Sequence, residues 1–168
     1  MIRRLFKSKD NTRALPELLP VGAQAPDFTL PATTGDKVSL QQMRGRPVVL
    51  AFYPADATPT CSNQLALYNE SLHLFAEYDA QLVALSTDSL ASHEAFAASL
   101  GLGFPLLADD EPAGAVARAY NVYDERDGIA ERALYVLDED GIVRWRQVGP
   151  RGENPGAHGI LHALDELT

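Results

Sequence analysis

The sequence predicts an α/β sandwich with a mixed central sheet, and three observations carry that prediction. Two continuous apolar runs, P-V-V-L-A-F-Y (47–53) and Q-L-V-A-L-S (81–86), have the pattern of strands covered on both faces. Stretches with helical spacing alternate with them. The chain then closes on a hairpin pattern over 133–148 and an amphipathic stretch over 159–167. Right-handed crossovers would set the 47–53 and 81–86 strands parallel.

Taken in order, residues 1–20 form a basic extension ending in L-P-E-L-L-P, and 21–168 form the domain. Segment 21–40, with Pro26, Pro31 and Gly35, predicts short edge strands and turns arranged as an N-terminal hairpin. After the 47–53 strand, apolar positions at 61, 65, 68, 72 and 75 predict an amphipathic helix of about four turns. S-H-E-A-F-A-A-S-L-G (92–101) predicts a helix with Ser92 as N-cap and Gly101 as its stop. Segment 104–109 predicts a short strand and 111–120 a short helix. The D-E-D-G turn (138–141) joins the two arms of the hairpin.

Composition excludes several function classes. At 168 residues, 46% hydrophobic and 22% charged, the chain suits one soluble domain, and it contains no apolar run long enough to span a membrane. The net charge of -9 is uneven: residues 1–20 carry +3, which leaves -12 for the rest. An acidic body repels phosphate backbones, so no nucleic acid is expected as a partner. The basic start lacks an apolar signal core and reads as a frayed or loosely docked extension. One cysteine makes no internal disulfide, which points to a reducing, cytoplasmic setting.

That cysteine lies in F-Y-P-A-D-A-T-P-T-C, at the carboxyl end of the first buried strand. Proline is suited to the first position of a helix, so Pro59 makes Thr58 the N-cap and places Cys61 in the first turn. The Thr58 hydroxyl is then placed to accept from the Cys61 N–H and to donate to its sulfur. A thiol of ordinary acidity is only a few per cent thiolate at neutral pH, and a helix end contributes only about 0.3–1 kcal/mol toward the anion. A cation must come from a distant part of the chain. A free cysteine is commonly a small buried hydrophobe, but the strand-to-helix turn favours chemistry here.

These residues resemble the peroxidatic loop of the peroxiredoxins, the alkyl hydroperoxide reductase/thiol-specific antioxidant family, whose pattern Pro-x-x-x-Thr-x-x-Cys falls on Pro54, Thr58 and Cys61. A-P-D-F-T-L-P, S-T-D-S-L-A-S-H-E-A-F, F-P-L-L-A-D and R-A-L-Y-V-L-D-E-D-G-I-V follow in the family's order, so the resemblance spans about 21–165. The Thr-Pro step resembles the bacterioferritin-comigratory, or Q-type, branch. The resemblance implies a thioredoxin-like three-layer sandwich and a thiol-dependent peroxidase with no cofactor and no metal. Cys61 would attack the peroxide, Thr58 and Arg132 would hold it, and Pro54 would shield the sulfur from water. Arg132 is the family's arginine by its place before the D-x-x-G turn. Taken singly, it reads as a strand-edge surface residue.

The chain departs from the Q-type pattern at two places. Ala66 stands where many members carry a resolving cysteine, so an external thiol (thioredoxin, glutaredoxin or a small thiol) is the expected reductant. Gln64 stands where glutamate is frequent, which puts one supporting contact in question. The family includes monomers and homodimers. Two rival readings stay open on sequence alone: a redox-sensing protein with slow turnover, and a scaffold with an inert cysteine. His73, His93, His158 and His162 form no convincing metal set, and no serine lies in a hydrolase setting.

Overall fold

The computed structural model describes residues 14–168; the basic cluster of the extension, up to Arg13, lies outside the described residues. The five-stranded central sheet has the order β5-β4-β3-β8-β9, formed by Leu106–Ala108, Gln81–Ser86, Val48–Phe52, Arg132–Leu137 and Val143–Gly149 respectively. β3, β4 and β5 run parallel; β8 is antiparallel to β3, and β9 to β8. The hairpin β1 (Thr29–Pro31) and β2 (Lys37–Ser39) precedes the sheet.

Alternation along the central strands explains why they are apolar on both faces. In β3, Val48, Leu50 and Phe52 face one core, while Val49 and Ala51 face the other. In β8, Ala133, Tyr135 and Leu137 join the first core and Leu134 and Val136 the second. Helices α1 (Pro59–Glu70), α2 (Leu72–Glu77), α3 (Leu90–Leu100) and α5 (His158–Asp165) cover the second. The hairpin segment and α4 (Ala115–Ala119) cover the first through Phe28, Val116 and Tyr120. The result is the expected three-layer α/β sandwich. No helix among the described residues is long and apolar enough to cross a membrane.

Several elements differ from their expected form. The four-turn helix is two helices that meet at Ser71, whose N–H and hydroxyl both donate to the Leu67 carbonyl four residues back, at 3.0 and 2.8 Å. α3 begins earlier than expected: Ser89, not Ser92, is the N-cap and accepts from the Ser92 N–H at 3.2 Å. Ser92 instead turns its hydroxyl to Asp56 (2.7 Å). Gly101 ends α3 in the left-handed conformation (φ 60°), as its sequence position suggests. α4 holds only five residues, its N-terminus capped by Asp109, which accepts from Val116 N and Ala117 N at 3.0 and 2.9 Å. The acidic turn near 124–127 belongs to a small hairpin of β6 (Tyr123–Asp124) and β7 (Ile129–Ala130).

Leu18 and Leu19, at the end of the extension, pack on the first core. Leu19 N donates to the Tyr135 hydroxyl (3.1 Å), which itself donates to the Tyr120 carbonyl (2.6 Å), and Arg146 Nε donates to Leu19 O (2.6 Å). One phenol thus joins the extension, α4's end and β8. Tyr135→Phe strands a buried carbonyl and an amide, so thermal or denaturant unfolding should show a loss of about 1–3 kcal/mol. A change below about 0.5 kcal/mol would mean that other groups meet these needs.

Candidate active site

The antiparallel pairing of β3 with β8 builds the site. Phe52 pairs with Ala133, so Arg132, one residue further along β8, lies beside the point where β3 leaves the sheet for the cysteine loop. The loop turns through Pro54, which is buried, and Ala57, which has a positive φ of 60°. It enters α1 with Thr58 as N-cap and Pro59 in the first turn, as the Thr-Pro step suggests.

Cys61 is fully buried, at 0% exposure, and Arg132 is 3% exposed. Arg132 Nη2 lies 3.2 Å from Cys61 Sγ although 71 residues separate them. Two further bonds from Nε and Nη2, at 3.0 and 2.7 Å, go to the Arg151 carbonyl. Nη1 donates to Gln64 Oε1 at 2.6 Å. Among the described residues no carboxylate forms an ion pair with Arg132, so its charge meets only carbonyl oxygens and sulfur. The strand-edge surface reading of this arginine does not hold.

The scale of this contact separates it from the helix end. Opposite unit charges at 3.2 Å attract by about 5 kcal/mol at an effective dielectric of about 20. A helix terminus supplies about 0.3–1 kcal/mol. Desolvation of both groups takes back part of the larger figure. Of the helix end and the guanidinium, the guanidinium is the larger electrostatic influence on the sulfur.

Thr58 Oγ1 accepts from Cys61 N at 3.4 Å and donates to the Ala55 carbonyl at 3.3 Å. Its proton therefore points to Ala55, not to the sulfur as the sequence suggested. A hydroxyl rotor can turn without moving its oxygen.

Two holders of Arg132 were not picked out as site residues from sequence. Gln64, fully buried, keeps a contact to the arginine through its neutral amide, and its Nε2 donates to the Tyr68 hydroxyl (3.1 Å). Tyr68, one turn further along α1, donates to Gly156 O at 3.1 Å, and burial pushes its phenol up to about 12. The spacing of three and four residues from Cys61 to Gln64 to Tyr68 was the available signal. The second holder, Arg151, presents its carbonyl because its side chain is bound by Asp124, Asp127 (2.6 Å) and Glu131 (3.4 Å). No sequence pattern announced that.

Of the histidines, His73, His158 and His162 are exposed, and His162 lies 3.6 Å from Glu166 on a solvated helix face. His93 is buried and pairs with Asp56, Nδ1 to Oδ2 2.8 Å. Two open grooves of about 490 and 460 Å³, both lined by Gly103 and Phe104, lie away from Cys61, Thr58 and Arg132. Size of concavity does not mark this site, because Cys61 sits at a buried helix start.

Comparison with known proteins agrees with this geometry. The AhpC/TSA family matches residues 21–146. Alkyl hydroperoxide reductase E of Mycobacterium tuberculosis is 39% identical over 152 residues, covering 90% of this chain and 99% of that protein. The chloroplastic peroxiredoxin Q of Triticum aestivum is 38% identical over 125 residues, 74% of this chain and 57% of its own length. The solved structure of Xanthomonas campestris peroxiredoxin Q superposes with a TM-score of 0.76 at 29% identity, covering 88% of this chain and 96% of that one. With the loop, the fold and these relatives in agreement, the chain belongs to the AhpC/TSA family, the peroxiredoxins.

Proposed function

We propose that this protein is a thiol-dependent peroxidase in which Cys61 is the sole redox centre and an external thiol restores it. The observation that carries the reading is the Arg132 Nη2–Cys61 Sγ contact of 3.2 Å at a buried helix start. The guanidinium favours the thiolate, which is the nucleophile. The sulfur attacks one peroxide oxygen; a sulfur–oxygen bond forms as the oxygen–oxygen bond breaks, and the sulfur loses two electrons to the peroxide. The departing hydroxide or alkoxide takes a proton and leaves as water or alcohol.

Arg132 and Thr58 are assigned to hold the peroxide and to stabilise charge on the leaving oxygen. Pro54, buried at the start of the loop, limits water at the sulfur. The resulting Cys61 sulfenic acid condenses with an external thiol, releasing water and forming a mixed disulfide. A second thiol then reduces that bond. Thioredoxin, glutaredoxin or a small thiol fills this role, in a reducing, cytoplasmic setting. Ala66 supplies no sulfur, and Cys61 is the only cysteine in the chain. The chemistry assigned here needs no metal or organic cofactor.

Cys61→Ser should abolish peroxide consumption, measured with hydrogen peroxide and with cumene hydroperoxide. Activity retained in that variant ends the proposal. Arg132→Ala should slow Cys61 oxidation in stopped flow by about 100- to 1000-fold, the scale of a lost charge-stabilising donor. Arg132→Lys should recover only part of that, since an ammonium lacks the planar fork. Thr58→Val should slow oxidation and Thr58→Ser should restore it; equal rates in the two variants would remove the hydroxyl from the mechanism. Sustained turnover with added thiol is expected, whereas consumption that stops at one peroxide per chain favours the sensor reading.

A further inference from the structure

A second polar cluster is buried at the root of the cysteine loop, and the chemistry above does not use it. Asp56 lies five residues before Cys61, its side chain 5% exposed, and His93 projects from α3 with 0% exposure. His93 Nδ1 is 2.8 and 3.0 Å from the two Asp56 carboxylate oxygens. Its other nitrogen, Nε2, is 3.0 Å from the Leu107 carbonyl. A carboxylate and a carbonyl only accept, so a ring facing both is placed to donate from each nitrogen, with the Tyr53 hydroxyl a further neighbour of Nδ1 at 3.3 Å. A neutral ring would set a buried lone pair against an acceptor.

The carboxylate is surrounded by donors in turn. The Tyr53 hydroxyl donates to Oδ1 (2.6 Å) and the Ser92 hydroxyl to Oδ2 (2.7 Å). Asp88 fastens the backbone of the same residue, accepting from Asp56 N at 3.0 Å. Burial alone would push the Asp56 pKa up, but the hydrogen bonds from His93, Tyr53 and Ser92 outweigh it and hold the carboxyl below its usual range. Donor atoms of Asp56, Asp88 and His93 lie within 4.8 Å of one another. His93 and both carboxylates are engaged in hydrogen bonds within the fold.

The loop has reason to need this restraint. Ala57 has a φ of 60°, a region that residues with a side chain enter at a cost, and it lies between Asp56 and the N-cap Thr58. Without an external hold the loop would relax, and Thr58 would move with it.

We propose that Asp56 and His93 are a charged positioning pair that fixes the cysteine loop, so that Thr58 and the first turn of α1 meet the peroxide in reactive geometry. The proposal rests on the peroxidase reading. Arg132 is held by Gln64 and Arg151, neither of them in this loop, so the pair acts first on the loop and the Thr58 hydroxyl rather than on the holders of the cation.

The test compares two reactions of Cys61 in reduced, folded protein: stopped-flow oxidation by hydrogen peroxide and alkylation by iodoacetamide. In Asp56→Asn and His93→Gln the peroxide rate constant should fall about 10- to 100-fold, the scale of a misplaced reacting group. Alkylation, which needs no peroxide alignment, should stay level or rise. The double variant should be no slower than the slower single one, because the two residues act as a unit. In wild-type protein labelled with nitrogen-15 histidine, His93 should show both ring N–H protons at pH 7. That spectrum needs no variant, and Ser92→Ala offers a milder one if the others fail to fold, with a smaller drop in the same rate ratio. A neutral His93 ring, an unchanged rate ratio in folded variants, or additive losses in the double variant would each overturn the pair. Wild-type inertness to peroxide would instead be a failure of the peroxidase reading.

Discussion

The guanidinium of Arg132 beside the sulfur of Cys61 is the constraint around which the rest of this structure is arranged. Neither residue alone has the property that matters. A buried thiol without a cation prefers its neutral form, and a buried arginine without acceptors is costly to bury. The antiparallel β3–β8 register brings together residues that are 71 apart in sequence. The fold therefore acts here as a device for bringing a charge to a nucleophile.

That charge has to be held without being neutralised. An aspartate or glutamate in direct contact would position Arg132 well, but it would compete with the sulfur for the positive charge. This chain uses neutral acceptors instead: one amide oxygen from Gln64 and one main-chain carbonyl from Arg151. The acids are one step removed, on the β6–β7 hairpin and at Glu131, where they bind the side chain of Arg151. Orientation and charge compensation are thus separated. Gln64 makes its hydrogen bond to Arg132 without adding a negative charge.

Much of this could be read from the sequence, and the boundary has physical causes. Apolar runs at 47–53 and 81–86 reported strands buried on both faces, because such strands have no solvent side to mark with polar residues. Thr58 and Pro59 reported a helix start because both act within one turn. Local signals of this kind also misled. Ser92 looked like an N-cap, but Ser89 had the extended backbone a cap requires, and Ser92 was bound to Asp56 instead. The apolar spacing ran straight through Ser71, where one helix ends and the next begins. Arg132 was reachable only through family resemblance. His93 read as one of four unconvincing histidines because its partner lies 37 residues away across a crossover. Contacts made by register and crossover leave no spacing to read.

Complete burial of the sulfur constrains the second half of the cycle as strongly as the charge constrains the first. A disulfide requires two Cβ atoms within about 3.5–4.5 Å. With Cys61 at 0% exposure, two copies of this chain cannot bring their only thiols that close while both helix starts stay closed. Under the proposed one-cysteine cycle, the attacking thiol would have to reach a sulfur that this structure shows closed. At that turn the Thr58 cap contact is 3.4 Å, Ser62 N donates to the Thr58 carbonyl at 2.9 Å, and the neighbouring Ala57 carries an unfavourable φ. Under that reading the closed turn would shelter the sulfur and an opened one would admit the reductant. A fixed loop root and a helix start able to open would then be complementary demands of the proposed cycle.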